Sequence, residues 1–219
     1  MIVAALGRAV ARAAGSRTLR FDLEGHGRDD ETFEAVDLSR TVGWFTALYP
    51  VAFELDPQGD PGSDIRRVKE ALRSVSSARF EHGMLCAAGR IERGSPAEIV
   101  VNYLGRLDLA LEEGSRFAAA EEAVGPSRAA SQRRPYPIEI NAGIYDGRLR
   151  AEWVYDVAWG EGVANAAAHF HAELKTLIAH CLSPSGGDAT PSDFRSVALS
   201  PAELDDIASE LGLDDLEDA

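Results

Sequence analysis

Glu24 is a carboxylate whose placement suits acid–base chemistry. It closes an alternating run, Thr18 to Leu23, and opens a glycine-rich turn, Glu24-Gly25-His26-Gly27-Arg28. A rigid strand aims a carboxylate, and glycines let a substrate backbone approach it. By residue type alone, though, a solvated turn carboxylate is the leading reading. An unperturbed histidine side chain changes charge near neutrality, so His26 is a candidate proton carrier. The preferred reading is that its ring hydrogen-bonds the turn and fixes Glu24 and Arg28. Tyr103 offers a phenol able to donate to a developing oxyanion, or simply a buried core ring.

Other residue clusters read more plainly. His169 and His171 stand two apart on a predicted helix, and side chains two apart do not share a helix face, so no metal site is expected there. Cys86 and Cys181 are the only cysteines, too far apart in sequence for a disulfide framework or a zinc site. A reducing, cytoplasmic setting is the expectation. Arg66, Arg67, Lys69 and Arg73 make a basic run on an acidic chain, read first as a solvated helix face.

The elements that must hold these residues follow from periodicity. Ile2 to Ala14 has a helical period, with Val3, Leu6 and Val10 on one face and Gly15 as the stop. Leu19, Phe21 and Leu23 share one face of a strand. Trp44 to Glu54 reads as a buried extended stretch broken at Pro50, and most of Arg40 to Tyr49 as packed core. A turn-rich loop, residues 56–62, precedes a helix capped by Ser63 or Asp64, with Ile65, Val68, Leu72 and Val75 apolar. Ile99 to Tyr103 reads as a strand. Leu107 to Arg134 carries no clear pattern. Tyr136, Ile138, Ile140 and Ala142 alternate, as do Leu149, Ala151, Trp153 and Tyr155, and Asp146-Gly147 between them signals a hairpin. This predicts Ile138 and Trp153 on neighbouring antiparallel strands. An amphipathic helix through Val163, Ala167, Phe170, Leu174 and Ile178 follows, flanked by the two histidines. Ser200-Pro201-Ala202-Glu203 is a capping box opening a last short helix, and the acidic end is expected to fray.

The chain has 219 residues, 45% of them hydrophobic, enough for one domain or two small layers. Its net charge of −14 argues against nucleic-acid or anionic-membrane partners. Arg8 and Arg12 interrupt the apolar start, which makes it a poor signal peptide and too short a membrane span. Strands mixed with helices, plus one antiparallel hairpin, predict an α/β two-layer sandwich with a mixed sheet.

Three segments, in order, resemble core motifs of nonribosomal peptide synthetase epimerization domains, close relatives of condensation domains. Glu24 to Asp29 is similar to E-G-H-G-R-E. Arg40-Thr41-Val42-Gly43-Trp44-Phe45-Thr46, running on through Tyr49-Pro50 to Phe53-Glu54, is the longest and most specific. Asn102-Tyr103-Leu104-Gly105-Arg106 is similar to N-Y-L-G-Q. The resemblance spans residues 1–199, leaving 200–219 as a short helix and acidic tail. It covers only the second half of such a domain. Two departures stand out: the family's H-H-x-x-x-D-G motif is absent, and a glycine-tyrosine motif is answered by Phe80-Glu81-His82-Gly83-Met84, with His82 at the tyrosine position.

The resemblance implies a single chloramphenicol acetyltransferase-like lobe, the C-terminal one, beginning with its own methionine where such a lobe would begin. It stands either as a short natural protein or as an expressed piece. It further implies α-proton transfer, or a rearrangement or cyclization beginning with it, on a peptide-derived or carrier-bound substrate. Glu24 would be the base, assisted by Tyr103 and His82, with His26, Arg28, Trp44 and Asn102 contacting substrate. No dissociable cofactor is implied, since a partner carrier protein brings the phosphopantetheine. Under this reading the basic run at Arg66 to Arg73 has a second use, docking that carrier. A lone lobe exposes apolar surface, so a homodimer or a separate N-terminal lobe is expected to cover it. The alternatives are a non-catalytic module that binds a carrier protein or recruits another enzyme, and half of a split domain.

Overall fold

A computed structural model describes residues 1–28, 37–76, 79–92, 97–107, 131–183 and 199–210, with 94, 122, 125, 128–129, 189–194 and 196–197 between them. The elements run α1 (Ile2–Ala14), β1 (Thr18–Gly25), β2 (Ala47–Glu54), α2 (Pro61–Ser76), α3 (Arg79–Ala87), β3 (Ile99–Arg106), β4 (Ile138–Tyr145), β5 (Arg148–Tyr155), α4 (Gly160–Cys181) and α5 (Pro201–Glu210). The fold is mixed α/β, as expected. Its five-stranded sheet has the order β2-β1-β3-β4-β5. The β1–β3 and β3–β4 pairs are parallel and β4–β5 is antiparallel. The hairpin forms at Asp146-Gly147, both residues with positive φ (49° and 69°). Ile140 pairs with Trp153, and Ile138 with Tyr155. Pro50 lies inside β2 rather than ending it, because β2 is an edge strand and a missing N–H is tolerated there. None of the described helices is long and apolar enough to cross a membrane. Most of the patternless stretch from Leu107 to Arg134, and the acidic end from Asp214 to Asp218, lie outside the described residues.

The chain forms two compact units. One comprises Met1–Leu19, Ala52–Ser77 and Ala164–Ala219; the other, Arg20–Val51 and Ala78–Val163. The first is organised around a charge. Helix α1 buries Ala4, Ala5, Leu6, Ala9 and Ala11, and with them Arg8 at 3% exposure, so its inner face is not the Val3–Leu6–Val10 stripe. Arg8 donates Nη1 to Asp64 of α2 at 2.5 Å and Nε to Glu173 of α4 at 2.6 Å. Its remaining N–H groups reach the carbonyls of Asp56 and Pro57 at 3.0 and 2.9 Å. Arg12 gives Glu173 a second cation at 2.7 Å. Gly7 keeps this side of α1 thin, since a Cβ there would come within 2.5 Å of the Leu55 side chain.

That network explains two local departures from periodicity. Asp64 is consumed as the partner of Arg8, so α2 is capped instead by Asp60, which accepts from the N–H groups of Gly62 and Ser63 at 3.3 and 2.7 Å. On α4 the buried stripe is Val163, Ala166, Phe170, Glu173 and Leu177, while Ile178 is left exposed. The helix turns to present a glutamate inward. The basic run on α2 is answered within the same unit. Arg67 pairs with Asp64, and Lys69 and Arg73 pair with Asp193 at 2.5 and 2.7 Å. Those hydrogen bonds, led by Lys69, hold the Asp193 carboxyl far below the ordinary range. The capping box on α5 forms as read, with Ser200 N–H donating to Glu203 at 2.8 Å.

Truncating one member of a buried pair strands its partner's charge in a low-dielectric interior. Asp64→Ala is therefore expected to cost about 3–5 kcal/mol of unfolding free energy, whereas exposed Arg67→Ala should cost under about 1 kcal/mol. Urea denaturation of the two variants measures both; equal losses would mean that Arg8 is not held chiefly through Asp64.

Candidate functional site

Strand β1 runs through Glu24 to Gly25, so Glu24 is a strand residue rather than the first residue of a turn. Leu19, Phe21 and Leu23 are buried on one side, and alternation sends Asp22 and Glu24 to the other. Register extends that second face across the sheet. Asp22 stands beside Val100, which stands beside Glu139; Glu24 stands beside Asn102, which stands beside Asn141; and Asn141 pairs with Glu152. Glu24 and Asn102, far apart in sequence, thus share one row.

The carboxyls on this face are treated differently. Asp22 is buried and accepts from the Tyr136 hydroxyl at 2.7 Å. Glu139 is nearly buried and pairs with Arg128 at 2.5 Å. Glu24 is half-buried, and among the described residues its carboxyl has neither a hydrogen bond nor an ion pair. Burial pushes its carboxyl above the ordinary glutamate range; the neighbouring Glu139 adds to this, and Arg128 opposes it. A half-buried carboxyl with a raised proton affinity is better suited to taking and returning a proton than an ordinary surface carboxylate.

The other sequence-derived candidates fall elsewhere. Tyr103 is 45% exposed and pairs with Ala142, so alternation places it on the opposite face of β3 from Asn102. His82 lies on α3, half-buried, with its Nε2 3.8 Å from the Cys86 sulfur one helical turn on. His26 is exposed and its Nδ1 accepts from the Arg28 N–H at 3.1 Å, the loop-fixing role rather than a free ring. Arg28 donates to the carbonyls of Leu38 and Thr41 at 2.6 and 2.7 Å and stacks over Phe45 at 4.2 Å. Its guanidinium is committed to the loop that follows. Trp44 and Val42 on that loop are 89% and 99% exposed, so this part of the expected packed core is surface.

The glycines of the turn have a packing role. Gly27 has φ of 60°, and a Cβ there would fall 1.5 Å from the carbonyl oxygen of Phe45. It admits the loop, not a substrate. Gly25 meets Tyr49 and Arg79 side chains at 3.4 and 3.7 Å from its own Cβ position. Burial raises the Tyr49 phenol, with Arg79 opposing. Sequence reasoning singles out neither Tyr136 nor Glu139 as a site residue. The signal is available, because Glu139 interrupts the apolar run Ile138–Ile140 at the parity of Asn141.

Comparison with known proteins bears on this arrangement. A family model described as the condensation domain matches residues 1–199. Bacitracin synthase 3 of Bacillus licheniformis is 35% identical over 212 residues, which is 94% of this chain and 3% of that protein. Chondramide synthase cmdD of Chondromyces crocatus is 35% identical over 219 residues, 98% of this chain and 6% of that protein. Among solved structures, the epimerization domain from the third module of tyrocidine synthetase B superposes with a TM-score of 0.72 at 28% identity, over 83% of this chain and 41% of that one. The starter condensation domain of rhizomide synthetase shares the fold at 16% identity and a TM-score of 0.51, over 86% of this chain and 43% of that one. The chain therefore spans about two fifths of these domains and a small fraction of the synthases.

Gly27→Ala is expected to destabilise the protein by more than the roughly 1–2 kcal/mol that a left-handed backbone costs an L-residue, since the Phe45 carbonyl must also move. Gly25→Ala, which meets only side chains at ordinary contact distance, should cost much less. Chemical denaturation ranks the pair, and the reverse order would contradict the loop-packing role of Gly27.

Proposed function

Because the chain belongs to the condensation-domain family, we propose that it serves nonribosomal peptide biosynthesis as one lobe of that fold, acting on a carrier-bound aminoacyl or peptidyl thioester. Glu24 is the working group. The Cα–H bond breaks, the proton passes to the Glu24 carboxylate, and the electron pair moves onto the thioester carbonyl as an enolate. Return of the proton to Cα re-forms the bond, with epimerization when it arrives on the opposite face. Asn102, in the same row, carries the amide N–H suited to the enolate oxygen. Tyr103 and His82 receive no step. No dissociable cofactor is needed, the thioester arm arriving with a carrier protein, and the cytoplasm is the natural compartment for such a partner.

One observation carries this reading: Glu24 is half-buried, unpaired among the described residues, and raised in proton affinity beside Asn102. A second reading, a non-catalytic module that binds a carrier protein or a companion lobe, is favoured by the exposed Val42, Trp44 and Met84. Apolar side chains at this exposure are suited to cover by another protein.

Deuterium incorporation at the α-carbon of carrier-bound thioesters separates the two. The native chain is expected to exchange, with Glu24→Gln slower by at least about 100-fold. The carboxylate is the active form, so exchange rises with pH through a midpoint above the ordinary glutamate value of about 4.3. Equal exchange in both proteins, or none in the native chain, hands the assignment to the binding module.

Assembly is tested separately by light scattering on the pure chain. A homodimer is expected, or a heteromer once a companion lobe is added, and Trp44→Ser should weaken it. A stable monomer that ignores any companion would remove this part of the proposal.

A further inference from the structure

The Glu24 face carries a second pair of charges that the proton-transfer step does not use. Glu139 lies between Ile138 and Ile140, both buried, so alternation turns it to the opposite face, the one that Glu24 occupies. It sits two strands from β1 in the Asp22–Val100–Glu139 row, adjacent to the Glu24–Asn102–Asn141 row. A carboxylate in so sheltered a position needs a counter-charge, and Arg128 supplies it at 2.5 Å while remaining 38% exposed itself. The groups disposed about Glu24 are therefore Asp22 on its own strand, bonded to Tyr136; Asn102 on β3; Glu139 and Asn141 on β4; Glu152 at the far, exposed end of the row; and Arg128. Tyr49 and Arg79 lie against the adjoining Gly25.

Within this set Asn102 and Asn141 carry no charge, and the Asp22 carboxyl is turned to the Tyr136 hydroxyl. Glu139 and Arg128 are the charges whose balance Glu24 feels. We propose that Glu139 and Arg128 are positioning residues for Glu24: a carboxylate and a guanidinium, fixed on one sheet face, that together set the pH at which Glu24 gives up its proton. This deepens the reading of Glu24 as the proton-transfer group. Neither residue touches the reacting atoms. The carboxylate of Glu139 makes Glu24 hold its proton longer, and the guanidinium of Arg128, paired with Glu139, acts on Glu24 in the opposite sense.

The test is a titration of the Glu24 side-chain carboxyl by carbon-13 NMR in the full chain, which requires no activity. Glu139→Gln is expected to lower the Glu24 midpoint, whereas Arg128→Ala raises it and Arg128→Lys restores it. The double variant, Arg128→Ala with Glu139→Gln, should titrate between the two single variants, because the two charges act on Glu24 in opposite senses. Thermal denaturation of each variant reports folding, so a variant that unfolds is replaced by Glu139→Ser. A Glu24 midpoint unmoved in folded Glu139 and Arg128 variants overturns the inference, as do shifts of the same sign. If the midpoints move as stated while no protein exchanges substrate deuterium, the positioning pair stands and the assignment of catalysis to Glu24 falls.

Discussion

The parallel pairing of β1, β3 and β4 is the constraint on which the face carrying Glu24 and Asn102 depends. Parallel strands are joined by crossovers, so residues many positions apart arrive side by side only if register is held along the whole ladder. Here Phe21 to Glu24 pairs with Ile99 to Asn102, and Ile99 to Asn102 with Ile138 to Asn141, without a break. A slip of one residue would turn Glu24 into the core and bring Leu23 or Gly25 out. The register is specified by burial: Phe21, Val101 and Ile140 are almost completely enclosed, and each lies one position from a polar group of the other face. The same apolar residues that stabilise the sheet therefore place its carboxyls.

The buried Arg8 cluster plays a different part in the first unit. Two cations, Arg8 and Arg12, meet two carboxylates, Asp64 and Glu173, and the leftover N–H groups are taken by two backbone carbonyls. Burial of so many charges offsets most of their mutual attraction, so the cluster is better understood as a device of specificity than of stability. A guanidinium has a fixed fork. It accepts one arrangement of α1, α2, α4 and the 55–57 loop, where alanine-rich packing alone would tolerate several.

This cluster marks the limit of what periodicity reveals. Strands and the hairpin are legible because alternation has a short period and Asp146-Gly147 has a definite turn chemistry. The helix faces are less so. An arginine in an alanine-rich helix reads as an interruption, Asp64 reads as a cap, and Glu173 reads as the polar side of α4; only together do they become core. Trp44 misleads for the opposite reason. Large aromatic residues are usually covered, and nothing local shows that Arg28 has tied the loop so that Phe45 is used and Trp44 is left out. For the site, motif resemblance locates Glu24 and Asn102. Tyr103 follows from the same motif, but adjacency to Asn102 in a strand is what sends it to the other face. Glu139 and Arg128 are invisible as partners because they sit on different segments, joined only by the folded sheet.

The 37–46 loop shows how packing and exposure combine. Arg28 holds two of its carbonyls and the face of Phe45, and Gly27 lets its backbone approach closer than any side chain would allow. A segment fastened in this way has little conformational entropy left to lose when something docks on it. Yet the side chains it turns outward are Val42 and Trp44, nearly fully exposed. An aromatic ring offers large contact area with few torsions to freeze. The motif that contains Glu24 thus does two things within five residues. Its first residue supplies a carboxyl to the sheet face, and its last two fasten a rigid apolar loop beside it. That coupling ties the strand to whatever the loop meets: a change that loosens the loop at Gly27 or Arg28 also loosens the end of the strand that aims Glu24.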